Sequence, residues 1–152
     1  MNFKKRLVLF LATGFNSGNI PVAPGTFGSL VALPICYIMS LVSPSVAAVT
    51  TAGMFVFAIW MAGSAEKMLN ARDPGCIVID EIIGMMITLL WLPFTLFSAV
   101  AGFILFRVFD ILKPFPIRLL DRKLSGGMGI VLDDVLAGIF SHLILRVLLY
   151  TF

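Results

Sequence analysis

The stretch FRVFDILKPFPIRLLDRKLSGGMGIVLDDVLAG, residues 106–138, sets a dense group of charges between two apolar runs. It holds four of the chain's eight acidic residues (Asp110, Asp121, Asp133 and Asp134) and five of its eleven Lys and Arg. Carboxylates gathered this closely in an apolar setting are costly unless a cation, a basic partner or water compensates them. The stretch therefore reads as a polar connection between two membrane helices, and as half of a metal-dependent phosphate site.

The composition around it points to lipid as the solvent. The chain is 60% hydrophobic and 12% charged, where soluble domains run at about 45–50% and about 25%. Its mean hydropathy is +1.07, and it carries 14 Phe and 8 Met. At 152 residues, the chain reads as one membrane-embedded domain, 1–152. The formal charge of +3 does not imply nucleic acid. The basic residues flank apolar segments, as the positive-inside rule expects, and no alternation of aromatic and basic residues follows a strand-binding pattern. Cys36 and Cys76 have neither metal-ligand spacing nor Cys or His neighbours, so two free thiols are expected.

Taken in order, the chain starts with Lys4, Lys5 and Arg6 ahead of a short apolar run. This suits an interfacial helix better than a cleaved signal peptide, whose apolar core is usually about 7–15 residues. Residues 14–29, GFNSGNIPVAPGTFGS, form a loop leading into a helix. Pro24-Gly25-Thr26 there offers N–H groups that could hold an anion, or an ordinary helix entry capped by Thr26. Apolar runs at 28–42 and 46–63 make a helical hairpin around Ser43-Pro44-Ser45. A polar connection follows, with Glu66, Lys67, Arg72 and Asp73.

Residues 76–92 and 94–112 could be one kinked helix or a hairpin turning at Leu92-Pro93. A hairpin places ten of the eleven Lys and Arg on one side and leaves only Arg146 near the other. A single helix splits them, so the positive-inside rule selects the hairpin and makes that side cytoplasmic. The loop 113–129 and a last span, 130–150, complete the chain. The expected fold is all-α: a polytopic membrane helical bundle of four to five apolar helices with active-site loops on the cytoplasmic face. No repeat or heptad indicates an oligomeric state.

This topology brings Asp80, Glu81, Asp110, Asp121, Asp133, Asp134 and the Pro24-Gly25-Thr26 segment to one face. Hard oxygen ligands in such number suit Mg²⁺, and without nearby His or Cys they do not suit zinc. Arg107 and Lys113 lie three residues either side of Asp110 and could hold a phosphate beside the metal. Asp110 and Asp121 could instead belong to surface ion pairs with Arg107, Lys113, Arg118 or Arg122. The doublets Asp80-Glu81 and Asp133-Asp134 resist that reading, because no basic residue lies within a helical turn of either. Gly84 and Gly138, each four residues beyond a doublet, suit close helix packing. His142 reads as a hydrogen-bonded helix contact.

PVAPGTFGS (21–29), VIDEIIG (78–84), FRVFDILKPFP (106–116), Asp121 and GGMGIVLDDVLAG (126–138) together resemble the phosphatidylglycerophosphatase A family of bacterial membrane lipid phosphatases. The resemblance implies Mg²⁺-dependent hydrolysis of phosphatidylglycerophosphate to phosphatidylglycerol and phosphate at the bacterial inner membrane. The partners it implies are the lipid substrate and the bilayer. By motif, it carries over Asp80, Glu81, Asp110, Lys113, Asp121, Asp133 and Asp134, with Gly25 and Thr26.

Within that frame, Asp80, Glu81, Asp133 and Asp134 are expected to hold the metal. Gly25, Thr26, Arg107 and Lys113 are expected to hold phosphate. The catalytic set is Asp80, Asp110, Lys113, Asp121 and Asp134, with Asp110 or Asp121 orienting or deprotonating water. Two rivals carry less of the sequence. A cation- or proton-coupled transporter would place acids across the bilayer, and a CDP-alcohol phosphotransferase would show a DG…AR…G…D…D pattern that is absent.

Overall fold

Proline, glycine and small polar residues divide the chain much as their chemistry dictates. The computed structural model describes residues 2–151, with side chains described everywhere except at 120–122. The helices are α1 (Phe3–Ala12), α2 (Pro24–Ser40), α3 (Pro44–Leu69), α4 (Ile79–Leu89), α5 (Leu96–Leu112), α6 (Ile117–Lys123) and α7 (Gly126–Thr151), with a 3₁₀ turn at Ser17–Asn19. Among the described residues there is no strand, in agreement with the all-α expectation.

The helix ends have local causes. Pro24 and Pro44 occupy the first turns of α2 and α3, where a missing N–H costs nothing. Ser43 caps α3 by accepting the Val46 N–H at 3.4 Å. Thr95 and Ser98 form a reciprocal capping box at the start of α5. At the other ends, Asn70 closes α3 and Lys113 closes α5 in left-handed conformations, φ 49° and 42°.

Two local readings change. Thr26 is not the cap of α2. Ala23 holds that position, and the Thr26 N–H donates to its carbonyl at 3.0 Å. The glycine-rich 126–129 is not loop but the first turn of α7, and α6 is a helix inside the connection before it. A Cβ on Gly127 would run into the Ile59 carbonyl of α3. Gly127 and Gly129 serve close packing, while Gly126, at φ 72°, makes the left-handed turn into the helix.

The hairpin forms between α4 and α5. Its turn is fastened to the start of α3 by Trp91 Nε1–H, which donates to the Pro44 carbonyl at 3.0 Å. The 90–95 and 41–43 turns therefore share one end of the bundle. The opposite end gathers the N-termini of α2, α4 and α7 and the C-termini of α3 and α5.

Helix α4 is the hub. Nine of its eleven residues are buried, and it packs against α2, α3, α5 and α7. Its partnership with α7 is parallel and in step. A Cβ on Gly138 would strike the Gly84 carbonyl, and one on Gly84 would come within 2.9 Å of the Asp134 carbonyl. One turn further on, His142 Nδ1 lies 3.3 Å from the Thr88 carbonyl, the helix contact read from its position. Backbones approach this closely only where side chains are absent.

The outer faces remain apolar. Val49, Val56, Trp60, Leu96, Val100, Ile104, Leu143 and Val147 are all at least half exposed, a surface suited to lipid. Among the described residues, two helices are long and apolar enough to cross a membrane: α3 and α7, each of 26 residues. The expectation of four to five spans is therefore corrected. α2 and α5 have 17 residues each, short of the roughly 20 needed to cross. α4, with 11, is an internal helix.

Candidate active site

The site lies where the helix ends converge. The first turn of α4 supplies Asp80 and Glu81, with the positive end of that helix's dipole favouring them. Two turns into α7 come Asp133 and Asp134, only 4% and 3% exposed. The last two turns of α5 supply Arg107 and Asp110, and α2 brings Gly25 and Thr26.

Packing of α4 against α7 sets Asp80, Glu81 and Asp134 together, with one carboxylate oxygen from each within 4.8 Å of the others. Asp80 Oδ1, Glu81 Oε2 and Asp134 Oδ2 are buried without a hydrogen-bond partner. Asp110 lies within side-chain hydrogen-bonding reach of Asp134. Buried oxygens lacking donors are expensive, and ionised neighbours repel. A hard cation between them offsets both penalties, and oxygen-only donors are what Mg²⁺ accepts. The residues present fit such an ion.

Arg107 fixes the basic side of the site. Its Nη1 is 2.7 Å from Asp110 Oδ2 and donates to Ser29 Oγ at 3.4 Å. Ser29 in turn donates to the Gly25 carbonyl at 2.8 Å. Arg107 Nε is buried and has no protein acceptor, which leaves a donor for an anionic guest. Gly25 is pressed against this group. A Cβ there would collide with the Glu81 carboxylate and come within 3.0 Å of Arg107 Nη1.

The second doublet divides its labour. Asp134 joins Asp80 and Glu81, while Asp133 pairs with the Lys113 ammonium. Thr26 stands half-buried beside Gly25. Asp121 falls outside the residues whose side chains are described. Ser29, fully buried, belongs to the helix entry that the sequence offers for an anion, but its contact with Arg107 is visible only in the structure. Its signal was its place one helical turn after Gly25, on the same face.

The arrangement can hold a hard cation on three carboxylates and phosphate oxygens on a guanidinium beside it, the pairing that phosphoryl transfer requires. Comparison with known proteins points the same way. Residues 10–149 match the family model described as Phosphatidylglycerophosphatase A. The chain is 43% identical over 132 residues to the Phosphatidylglycerophosphatase A of Escherichia coli (strain K12), covering 86% of this chain and 77% of that relative. It is 41% identical over 142 residues to the protein of that name from Haemophilus influenzae, covering 92% and 87%. It is also 40% identical over 149 residues to a Putative phosphatidylinositol-3-phosphatase of Bacteroides thetaiotaomicron, covering 93% and 92%. No solved structure matches the chain.

Proposed function

The chain belongs to the phosphatidylglycerophosphatase A family of phosphatase enzymes, and from that premise we propose that it removes the terminal phosphate of phosphatidylglycerophosphate with Mg²⁺ bound at its carboxylates. The observation that carries the reading is the trio of buried, unpartnered oxygens of Asp80, Glu81 and Asp134 beside Arg107. The reaction adds water across the phosphomonoester. The water oxygen bonds to phosphorus, the bond to the glycerol oxygen breaks, and that oxygen leaves with a proton as the alcohol of phosphatidylglycerol.

Asp80, Glu81 and Asp134 hold the ion, with Asp133 adjoining them. When bound, the ion supplies positive charge to a phosphate oxygen and so eases attack at phosphorus. Arg107 holds a second phosphate oxygen, and its bond to Asp110 fixes the guanidinium in place. Lys113, steadied by Asp133, meets a third, with the Gly25 amide and the Thr26 hydroxyl adding neutral donors. Asp110 or Asp121 orients the attacking water and takes its proton. The bundle sits as a multi-pass protein of the bacterial inner membrane with this end toward the cytoplasm, where a lipid anchored by its acyl chains presents its phosphate. A transporter reading has no support, since the carboxylates collect at one end of the helices.

The test is phosphate release by the purified protein from phosphatidylglycerophosphate in detergent micelles, with Mg²⁺ or with EDTA. Phosphatidylinositol 3-phosphate runs in parallel, because one relative is named for that lipid. Release that needs Mg²⁺ and is lost in both Asp80→Asn and Asp134→Asn supports the reading. Release unaffected by EDTA would remove the metal from it, and preference for the inositol lipid would change the headgroup.

A further inference from the structure

We propose that the cavity beside Lys113 seats the internal phosphodiester and the first acyl carbons of the lipid, with Arg118 as the cation that holds the diester. The inference rests on the reading of the active site as one for a lipid phosphomonoester, and it adds the element that selects among such lipids.

The cavity, about 370 Å³, is lined by Leu112, Lys113, Pro114, Phe115, Arg118 and Leu119. Two features of that wall identify an amphiphile. Its apolar members lie at the open surface: Leu112 is 71% exposed, Phe115 82%, and the neighbouring Ile111 68%. Large apolar groups exposed side by side mark a surface that meets a membrane or an apolar ligand or partner. Its charged members among the described residues are both basic. A soluble phosphate has no use for the aromatic and aliphatic wall, and a neutral lipid has no use for Arg118. A phospholipid satisfies both. Guanidinium is well matched to a phosphodiester, being planar and weakly hydrated.

Lys113 joins this cavity to the active site. It lines the cavity, while its ammonium pairs with Asp133. The left-handed conformation of Lys113, φ 42°, turns the chain here and lets one residue face both spaces. A lipid whose two phosphates are separated by the three carbons of glycerol can place the diester at Arg118 and the monoester beyond Lys113. Arg118 is then a specificity-determining residue that never touches the reacting phosphorus.

The experiment measures binding of short-chain phosphatidylglycerol, which carries the diester and no monoester, to the detergent-solubilised protein by calorimetry. Short-chain diacylglycerol is the neutral comparator. In parallel, kcat and KM are measured on phosphatidylglycerophosphate for wild type, Arg118→Gln and Arg118→Lys. Loss of one charge-assisted contact is expected to weaken phosphatidylglycerol binding about tenfold and to raise KM by a similar factor with kcat retained, with Arg118→Lys recovering most of both. The proposal is overturned if Arg118→Gln binds phosphatidylglycerol as wild type does, if diacylglycerol binds equally well, or if kcat falls while KM stays constant. If wild type binds phosphatidylglycerol through Arg118 yet hydrolyses no phosphomonoester, the subsite stands and the hydrolase reading falls.

Discussion

Asp80, Glu81 and Asp134 hold oxygens that no protein donor meets, so each is a source of instability that a bound cation would remove. Asp134→Asn is therefore expected to melt at or above the wild-type temperature in EDTA, because one of three mutually repelling charges is gone. In Mg²⁺ the order reverses. Wild type gains about 2.7 kcal/mol when the ion is at a hundred times its Kd, and the variant gains little. Thermal melts with and without Mg²⁺ check this, and equal gains by both proteins would count against these ligands. Arg107→Lys keeps the charge but loses the planar fork that meets Asp110 and Ser29 at once. Its kcat/KM is expected to fall about 10²-fold, as when a preorganised donor is removed, in steady-state assays of phosphate release. Sequence made the two doublets legible, because no base within a helical turn could neutralise them. It did not show how the second doublet divides. Adjacent residues on a helix point about 100° apart, and only the packing of α7 determines that Asp134 faces Asp80 while Asp133 faces Lys113.

At the scale of elements, the parallel pair α4 and α7 is what aligns the carboxylates. Asp80, Gly84 and Thr88 on one helix match Asp134, Gly138 and His142 on the other. A methyl group at Gly138 must push against the Gly84 carbonyl. Gly138→Ala is expected to cost about 1–3 kcal/mol through overpacking and to reduce phosphate release further than the lost stability explains, since it moves Asp134 away from Asp80. Gly53→Ala is the control. Nothing lies within 4 Å of the added carbon, and it is expected to stabilise α3 by up to about 1 kcal/mol. Chemical denaturation of the two variants beside their activities makes the comparison. Pro24, Pro44 and the 90–95 turn were readable as helix punctuation. Gly127 was not, because a run of glycines signals a loop by composition and signals close packing only once Ile59 of α3 is seen opposite.

At the scale of the molecule, ten of the eleven basic residues lie toward the carboxylate end and only Arg146 toward the other. This asymmetry was plain in the sequence and is the basis of the proposed orientation. With Cys36→Ser and Cys76→Ser as background, a membrane-impermeant maleimide is expected to label Ser43→Cys in intact cells and Arg72→Cys only after permeabilisation. The opposite pattern would reverse the topology. Span number was less legible, since apolar character alone cannot separate a helix that crosses lipid from one buried among its neighbours, as α4 is. The brevity of α4 also bears on how the protein is made. Eleven residues offer an insertion machinery too little to retain on its own, so α4 enters the bilayer as a dependant of α5 and of α3, already in place. Its carboxylates then wait for α7, which is made after them. A chain arrested before Asp134 holds only part of the cluster, and newly made protein gains its site only once α7 has been made.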